Sequence, residues 1–149
     1  MRKLYPWLTL VAVSATTLSE LSPAYAQQPA IDVKGLTRET VEEQVLAGYL
    51  TDLNGKYKMT VSRFTFDPGG YVGPHHHAGP GFRCVLSGEV TNIEDEKSAV
   101  YGPGECYWEA GDQSHTPRND GDEPAVGLII ELLPVELTGS SLLPVPQQK

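Results

Sequence analysis

Short apolar and alternating segments, rather than helical periods, dominate the second half of the chain. Residues 57–66 are rich in β-branched and aromatic side chains and end at residues 67–70, Asp-Pro-Gly-Gly, which predicts a strand followed by a turn. Residues 82–91 predict another strand, bent at Gly88, and the near-continuous apolar run 125–133 predicts a third.

Shorter segments of the same kind fill the region between these strands. Residues 93–97 are acidic and predict a hairpin loop, whereas residues 99–101, 106–109 and 115–118 predict short strands with Gly and Pro between them. Short strands at close spacing are typical of an all-β barrel or sandwich.

The two ends of the chain differ from this pattern. Residues 37–50 are compatible with a helix, but the run is short and lacks a capping box, so a helical turn and an extended arm both remain open. The tail after Pro134 is Pro-rich, which predicts an extended or disordered segment on the surface.

The first 26 residues have the features of a secretory signal peptide. Arg2 and Lys3 precede the apolar stretch 4–15, which is too short to span a bilayer, and residues 24–26, Ala-Tyr-Ala, suit signal peptidase. We expect cleavage after Ala26 and a periplasmic or secreted protein without membrane insertion; the alternative is an uncleaved N-terminal anchor.

Charge and cysteine content narrow the function classes. Without Arg2, Lys3 and Glu20 of the leader, 9 basic and 18 acidic side chains remain, a net charge of −9. This balance argues against nucleic-acid binding, which needs basic surface. Cys84 and Cys106 are either a disulfide, which an oxidising compartment would preserve, or buried thiols.

The histidines are the candidate metal ligands of the chain. Three of the four lie together as His75-His76-His77, and the fourth is His115. Alternate side chains of a strand share a face, so His75 and His77 are predicted to point one way and His76 the other. Two imidazoles on one strand, with a third supplied by the fold, are a plausible ligand set for one divalent transition metal such as Fe, Mn, Zn, Cu or Ni.

The spacing around these histidines resembles the two motifs of the cupin superfamily, in particular its small single-domain type-2 members. In the first, Gly69 is followed after five residues by His75-x-His77, and residue 81 is followed after six residues by Gly88. The second contains Gly111, His115 and, after three more residues, Asn119. The resemblance implies a double-stranded β-helix (jelly-roll) barrel with His75, His77 and His115 at one metal site, and commonly a homodimer.

Two departures from the family pattern concern the site. Gly81 stands where the first motif has a metal-binding Glu, which reduces the implied ligands to three histidines. Glu109 or Ala110 stands at the Pro position of the second motif, and Glu109 is a candidate for the missing carboxylate, as a ligand or as a partner that orients a histidine.

Arg83 is the other candidate near the site. If residue 81 faces inward, alternation turns Arg83 inward as well, where a guanidinium would bind a substrate carboxylate or phosphate. The apolar residues Phe82, Cys84 and Leu86 alternate with it and argue for the opposite orientation, with Arg83 on the outer face, which we favour from sequence.

The sequence therefore predicts an all-β cupin-type barrel with an extended N-terminal arm: a signal peptide (1–26), the arm (27–55), the barrel (56–134) and a C-terminal tail (135–149). Three functions remain open. They are an exported metal-dependent enzyme acting on a small molecule, an oxygenase or a lyase/isomerase with no catalytic residue yet identified; a non-catalytic module that binds a ligand or metal; and a metal-free structural or interaction domain.

Overall fold

The computed structural model describes residues 30–145, so the predicted signal peptide lies outside the described residues. No helix in this range is long and apolar enough to cross a membrane. Apart from a 3₁₀ turn at Thr51–Leu53, the regular structure consists of ten strands. They are β1 Val33–Val45, β2 Tyr57–Val72, β3 His75–His77, β4 Gly81–Ser87, β5 Val90–Glu94, β6 Lys97–Tyr101, β7 Cys106–Glu109, β8 His115–Arg118, β9 Ala125–Pro134 and β10 Leu142–Pro144.

All ten strands join one antiparallel sheet that curls into a barrel. Its main order is β10-β3-β8-β2-β9-β4-β7, with β1 on β2 and the β5–β6 hairpin attached through β5 to β8. Strand β9 is buried at every second residue, as expected for a strand with one face toward a barrel interior. The predicted all-β, double-stranded β-helix fold is confirmed.

Several short strands were predicted with the observed bounds. β7 and β8 begin and end as the sequence indicated, and the predicted bend at Gly88 is the break between β4 and β5. The acidic hairpin turns at Asp95 and Glu96, both of which have positive φ (49° and 62°), as a two-residue hairpin loop requires.

The predicted turn at residues 67–70 does not end the strand, because β2 continues to Val72; these four residues instead form a bulge opposite Gly35 of β1. The register between β1 and β2 shifts at this point, which leaves room for the Gly-Gly pair. Gly69 has a φ of 68°, a value that a glycine adopts without strain. Asn119 fixes this irregular segment: its amide nitrogen donates to the carbonyl oxygens of Phe66 and Asp67, and its backbone N–H donates to that of Gly70.

Both ends of the described range, residues 30–145, contribute a strand to the sheet. The helical alternative for residues 37–50 is wrong, since residues up to Val45 form β1, which pairs with β2 along nearly its whole length. In the tail, β10 pairs with β3 and places Leu142 opposite His77. Backbone pairing over this length outweighs the weak local preference of the N-terminal segment for a helix.

The interior of the barrel has an apolar end and a charged end. The apolar cluster is built from Phe64, Phe66, Val72, Val85, Val90, Ala125 and Ile129. On the outside, Cys84 and Cys106 face each other across β4 and β7 and form a disulfide, which decides between the two alternatives for these cysteines.

Candidate metal centre

Three histidines meet at one point inside the barrel. His75 and His77 lie on β3, where alternation buries both and leaves His76 half-buried, and His115 begins β8 directly opposite His75. Their side chains are almost fully enclosed, with relative exposures of 1%, 6% and 4% for the three residues. The predicted division of the His-His-His run between two faces is confirmed.

The Nε2 atoms of the three rings form the centre of the cluster. His77 Nε2 lies 3.2 Å from His75 Nε2 and 3.0 Å from His115 Nε2. Two nitrogens that each lie about 2.1 Å from one ion at right angles are about 3.0 Å apart, so this spacing fits ligands of a single transition metal.

The opposite nitrogen of each ring faces an acceptor. His75 Nδ1 donates to the carbonyl oxygen of Gly73 at 2.9 Å, and His115 Nδ1 donates to Asn92 Oδ1 at 2.8 Å. His77 Nδ1 lies 3.0 Å from Glu131 Oε1. With the proton held at Nδ1, each neutral ring directs the lone pair of Nε2 toward the other two, an arrangement that a shared cation satisfies.

Burial keeps the rings of His75 and His77 neutral. It lowers the pKa of His75 from 6.5 to about 3, with the charges of His115 and His77 acting in the same direction and the Gly73 hydrogen bond opposing them. Burial also lowers the pKa of His77, although contact with Glu131 opposes this shift. Neutral imidazole is the form that binds a metal, so His75 and His77 are in the metal-binding form at neutral pH.

A charged network lies beside the histidines. Arg83 Nη2 is 2.6 Å from Glu109 Oε2 and 3.1 Å from Glu131 Oε1, and Arg38 Nη2 is 2.5 Å from Glu131 Oε2. Ser141 Oγ donates to the same Glu131 carboxylate. Two guanidinium groups and two carboxylates thus balance each other inside the barrel, which is how proteins accommodate buried charge.

The orientation of Arg83 that we favoured from sequence is wrong. Its side chain points inward and is 3% exposed, whereas Phe82 and Leu86 are on the outer face at 46% and 47% exposure. The physical reason is the pair of buried carboxylates, Glu109 and Glu131, which require a cation on this face of β4. Phe82 instead packs against Trp108 on the outside, with ring centroids 4.9 Å apart.

Glu109 reaches the histidine cluster from β7. Its Oε2 lies 3.2 Å from His77 Nε2 and its Oε1 lies 2.9 Å from His115 Nδ1. Burial opposes ionisation of this carboxyl group, but His115 and Arg83 outweigh burial, so the pKa of Glu109 lies below its usual value and the group is charged.

Gly81 lies directly opposite Glu109 in the β4–β7 register. A Cβ atom at residue 81 would lie 2.2 Å from the carbonyl oxygen of Ile130 and 2.7 Å from Arg83 Nη1. The glycine is therefore required by close backbone approach, since its φ is not in the left-handed region.

Beside the cluster is a small cavity of about 30 Å³ that opens on one side. Phe64, Phe66, Val72 and Ile129 form an apolar wall opposite the histidines, Arg83 and Glu109. Tyr107 also lines it, and burial raises the pKa of this phenol, so that it remains protonated.

Sequence reasoning missed Glu131, Asn92 and Arg38. Glu131 lies in the near-continuous apolar run 125–133, which was assigned no functional residue. Strand alternation nevertheless groups it with the inward residues Ile129 and Leu133. No pattern in the sequence indicated that Asn92 or Arg38 would meet the site, because both arrive through long-range pairing of strands.

Comparison with known proteins agrees with this structure. Residues 62–131 match the sequence profile of the cupin domain. A cupin-2 domain protein from Rhodospirillum rubrum is 16% identical, with a TM-score of 0.56, 77% of this chain covered and 68% of the other. A cupin-like protein from Thermotoga maritima is 21% identical, with a TM-score of 0.54 and coverages of 70% and 75%.

A polyketide cyclase from Streptomyces resistomycificus has the same fold at 18% identity, with a TM-score of 0.53 and coverages of 75% and 78%. No protein with a curated description matches the chain. The profile match shows a cupin domain at residues 62–131, and the solved structures, at identities this low, show a common fold and nothing beyond it.

Proposed function

We propose that this chain is an exported cupin protein that holds one divalent transition metal on His75, His77 and His115 and uses it to bind or transform a small molecule. The convergence of three Nε2 atoms, each on a ring whose Nδ1 faces an acceptor, is the observation that carries the proposal. When bound, such a metal would supply Lewis-acid or redox chemistry.

The cavity supports a small ligand with an apolar body. One wall is formed by Phe64, Phe66 and Val72, and the histidines lie on the other side. Arg83 is already paired with two carboxylates, so it has little remaining capacity for a substrate carboxylate. An oxygenase or a lyase/isomerase is the class of enzyme we propose, with a non-catalytic binding module as the alternative.

Export is supported by two independent features. The leader of residues 1–26 has the composition of a signal peptide. The disulfide between Cys84 and Cys106 is partly exposed on the outer face, and such a bond persists in an oxidising compartment such as the periplasm or the extracellular space.

A homodimer is supported by the outer face of the barrel. Phe82, Leu86 and Trp108 are about half exposed there, and Phe82 and Trp108 pack on each other. Contiguous exposed aromatic and aliphatic side chains are typical of a protein–protein contact.

The test of the metal site is equilibrium dialysis of the metal-depleted mature protein against Zn²⁺, Co²⁺, Mn²⁺, Ni²⁺, Cu²⁺ and, without oxygen, Fe²⁺. We expect one bound equivalent of at least one metal, retained in His76→Ala and lost in His77→Ala. Equal loss in both variants, or no binding by the wild type, would contradict the proposal and favour the metal-free structural alternative.

Turnover is measured separately on the loaded protein. Oxygen consumption and product formation with a panel of small phenolics and organic acids distinguish the enzyme from the binding module. Phenolic turnover that requires the metal supports the enzyme, whereas saturable binding without any product supports the module.

A further inference from the structure

We propose that Glu109 supplies a fourth ligand to the metal, so that the carboxylate absent at residue 81 is provided by the residue that faces it on the neighbouring strand. This inference rests on the metal site proposed above and adds one member to its ligand set.

The position of Glu109 follows from strand register. Gly81 on β4 is paired with Glu109 on β7, so the two residues occupy the same level of the barrel wall. Only two residues beyond Glu109, the carbonyl oxygen of Gly111 accepts a hydrogen bond from the backbone N–H of His77 at 2.8 Å. The backbone that carries the carboxylate is therefore fixed directly to the strand that carries two of the histidines.

The contact between Arg83 and Glu109 requires a residue without a side chain at position 81. The guanidinium of Arg83 lies across residue 81, in space that a side chain there would need. From this place its Nη2 approaches Glu109 Oε2 at 2.6 Å. The missing side chain at residue 81 thus makes room for the arginine that holds the carboxylate on the facing strand.

Distances place the carboxylate among the donor atoms. Glu109 Oε2 is 3.2 Å from His77 Nε2, which is the same separation as that between the Nε2 atoms of His75 and His77. An oxygen at this spacing can share an ion with His77 Nε2, since carboxylate ligands bind at about 2.0–2.2 Å. The carboxylate thus approaches the three-histidine set from the side of His77.

The carboxylate also lacks a satisfactory partner of its own. Its contacts with Arg83 and His115 are close but poorly angled, and neither oxygen accepts a regular hydrogen bond from residues 30–145. The Glu109 side chain is only 5% exposed. Arg83 offsets part of the cost of burying this carboxylate, but both oxygens keep unused hydrogen-bonding capacity, which a metal ion beside Oε2 would use.

The alternative to a ligand role is that Glu109 only orients the ring of His115, by contact with the Nδ1 atom of that histidine. Asn92 provides a matched control, because its Oδ1 accepts from the same Nδ1 at 2.8 Å and comes from a different strand. Loss of an orienting partner typically costs about 10–100-fold in metal affinity.

The experiment compares wild type, Glu109→Gln and Asn92→Ala, each loaded with Co²⁺, by titration and by visible absorption. We expect Glu109→Gln to lose more than about 100-fold in affinity and to change the position and intensity of the Co²⁺ d–d bands, because a charged ligand is replaced. Asn92→Ala should bind more weakly than wild type with an unchanged spectrum.

Equal affinity losses and identical spectra in the two variants would overturn the inference and leave Glu109 as a positioning residue. Absence of Co²⁺ and of every other metal in the wild type would instead overturn the proposed function itself. Thermal unfolding of the metal-free variants checks folding. Should Glu109→Gln not fold, Glu109→Asp carries the same test, since it keeps the charge beside Arg83 but withdraws the carboxylate by one methylene.

Discussion

Glu131→Gln is predicted to destabilise the metal-free protein strongly at neutral pH. Glu131 is fully buried, and its carboxylate is approached by Arg38, Arg83 and Ser141. The substitution keeps the size of the side chain but removes the charge that compensates two guanidinium groups. Removing one partner of a buried ion pair costs about 3–5 kcal/mol.

The lower end of this range applies here. Arg83 retains Glu109 as a partner, and the Arg38 side chain is 21% exposed and can be hydrated. We therefore expect a loss of about 3 kcal/mol in the free energy of unfolding. With a urea m-value of about 1.5 kcal/mol/M, the midpoint of unfolding falls by about 2 M.

The assay is urea unfolding at pH 7, followed by the fluorescence of Trp108. The control is Glu136→Gln at an exposed position, which should stay within about 0.5 kcal/mol of wild type.

Burial opposes ionisation of Glu131, yet contact with His77, Arg38 and Arg83 outweighs it and lowers the pKa from 4.5 to about 2. The stability that this carboxylate contributes is present above pH 4.5 and is lost as the pH falls toward 2, so the difference between variant and wild type should shrink over that interval. A loss below about 1 kcal/mol at pH 7 would refute the role of the network.

Three further predictions concern other parts of the barrel. Gly81→Ala should lower the free energy of unfolding by at least about 2 kcal/mol, and Gly81→Glu by more, because the new Cβ meets the carbonyl oxygen of Ile130; unchanged thermal unfolding would contradict this. Replacing Cys84 and Cys106 together with Ser should cost about 3 kcal/mol of stability yet leave metal affinity unchanged, since the disulfide is on the outer face; reduced metal binding would show a coupling that the structure does not contain. The pKa of His75 is about 3 in the folded chain and 6.5 in the unfolded chain, so the unfolded chain binds a proton first as the pH falls. His75 alone should then lower metal-free stability by about 1.4 kcal/mol per pH unit below pH 6.5, and His77, whose pKa is also lowered, adds to this; a flat profile between pH 6 and 5 in urea titrations would be inconsistent with a buried neutral ring.

Local patterns were sufficient to predict the strands that turns and glycines delimit. β7 and β8 are bounded by Gly and Pro, so the sequence alone marks their ends. The β5–β6 hairpin was predicted with a loop over residues 93–97, whereas the turn takes only residues 95 and 96. The alternation of His75, His76 and His77 was likewise predictable, because it depends only on the geometry of one strand.

Features that depend on distant strands were not predictable in this way. The helix-compatible segment became β1 through its pairing with β2, and the Pro-rich tail contributed β10 through its pairing with β3. A single-strand pattern contains no information about such partners.

The predicted orientation of Arg83 was wrong for a related reason. Placing Phe82 and Leu86 inside follows the usual rule that apolar residues are buried. That rule reverses on β4 because Glu109 and Glu131 from the neighbouring strands β7 and β9 make the interior charged at this level. The same long-range pairing brings Asn92 to His115, which explains why the residues that orient the histidines were harder to find than the histidines themselves.

The most direct test of the metal centre is an anomalous difference map from crystals of the metal-loaded mature protein, recorded at the absorption edge of that metal. We predict one peak per chain, within about 2.3 Å of the Nε2 atoms of His75, His77 and His115. A map without a peak at the three histidines, or with its peaks only at surface side chains, would contradict the account.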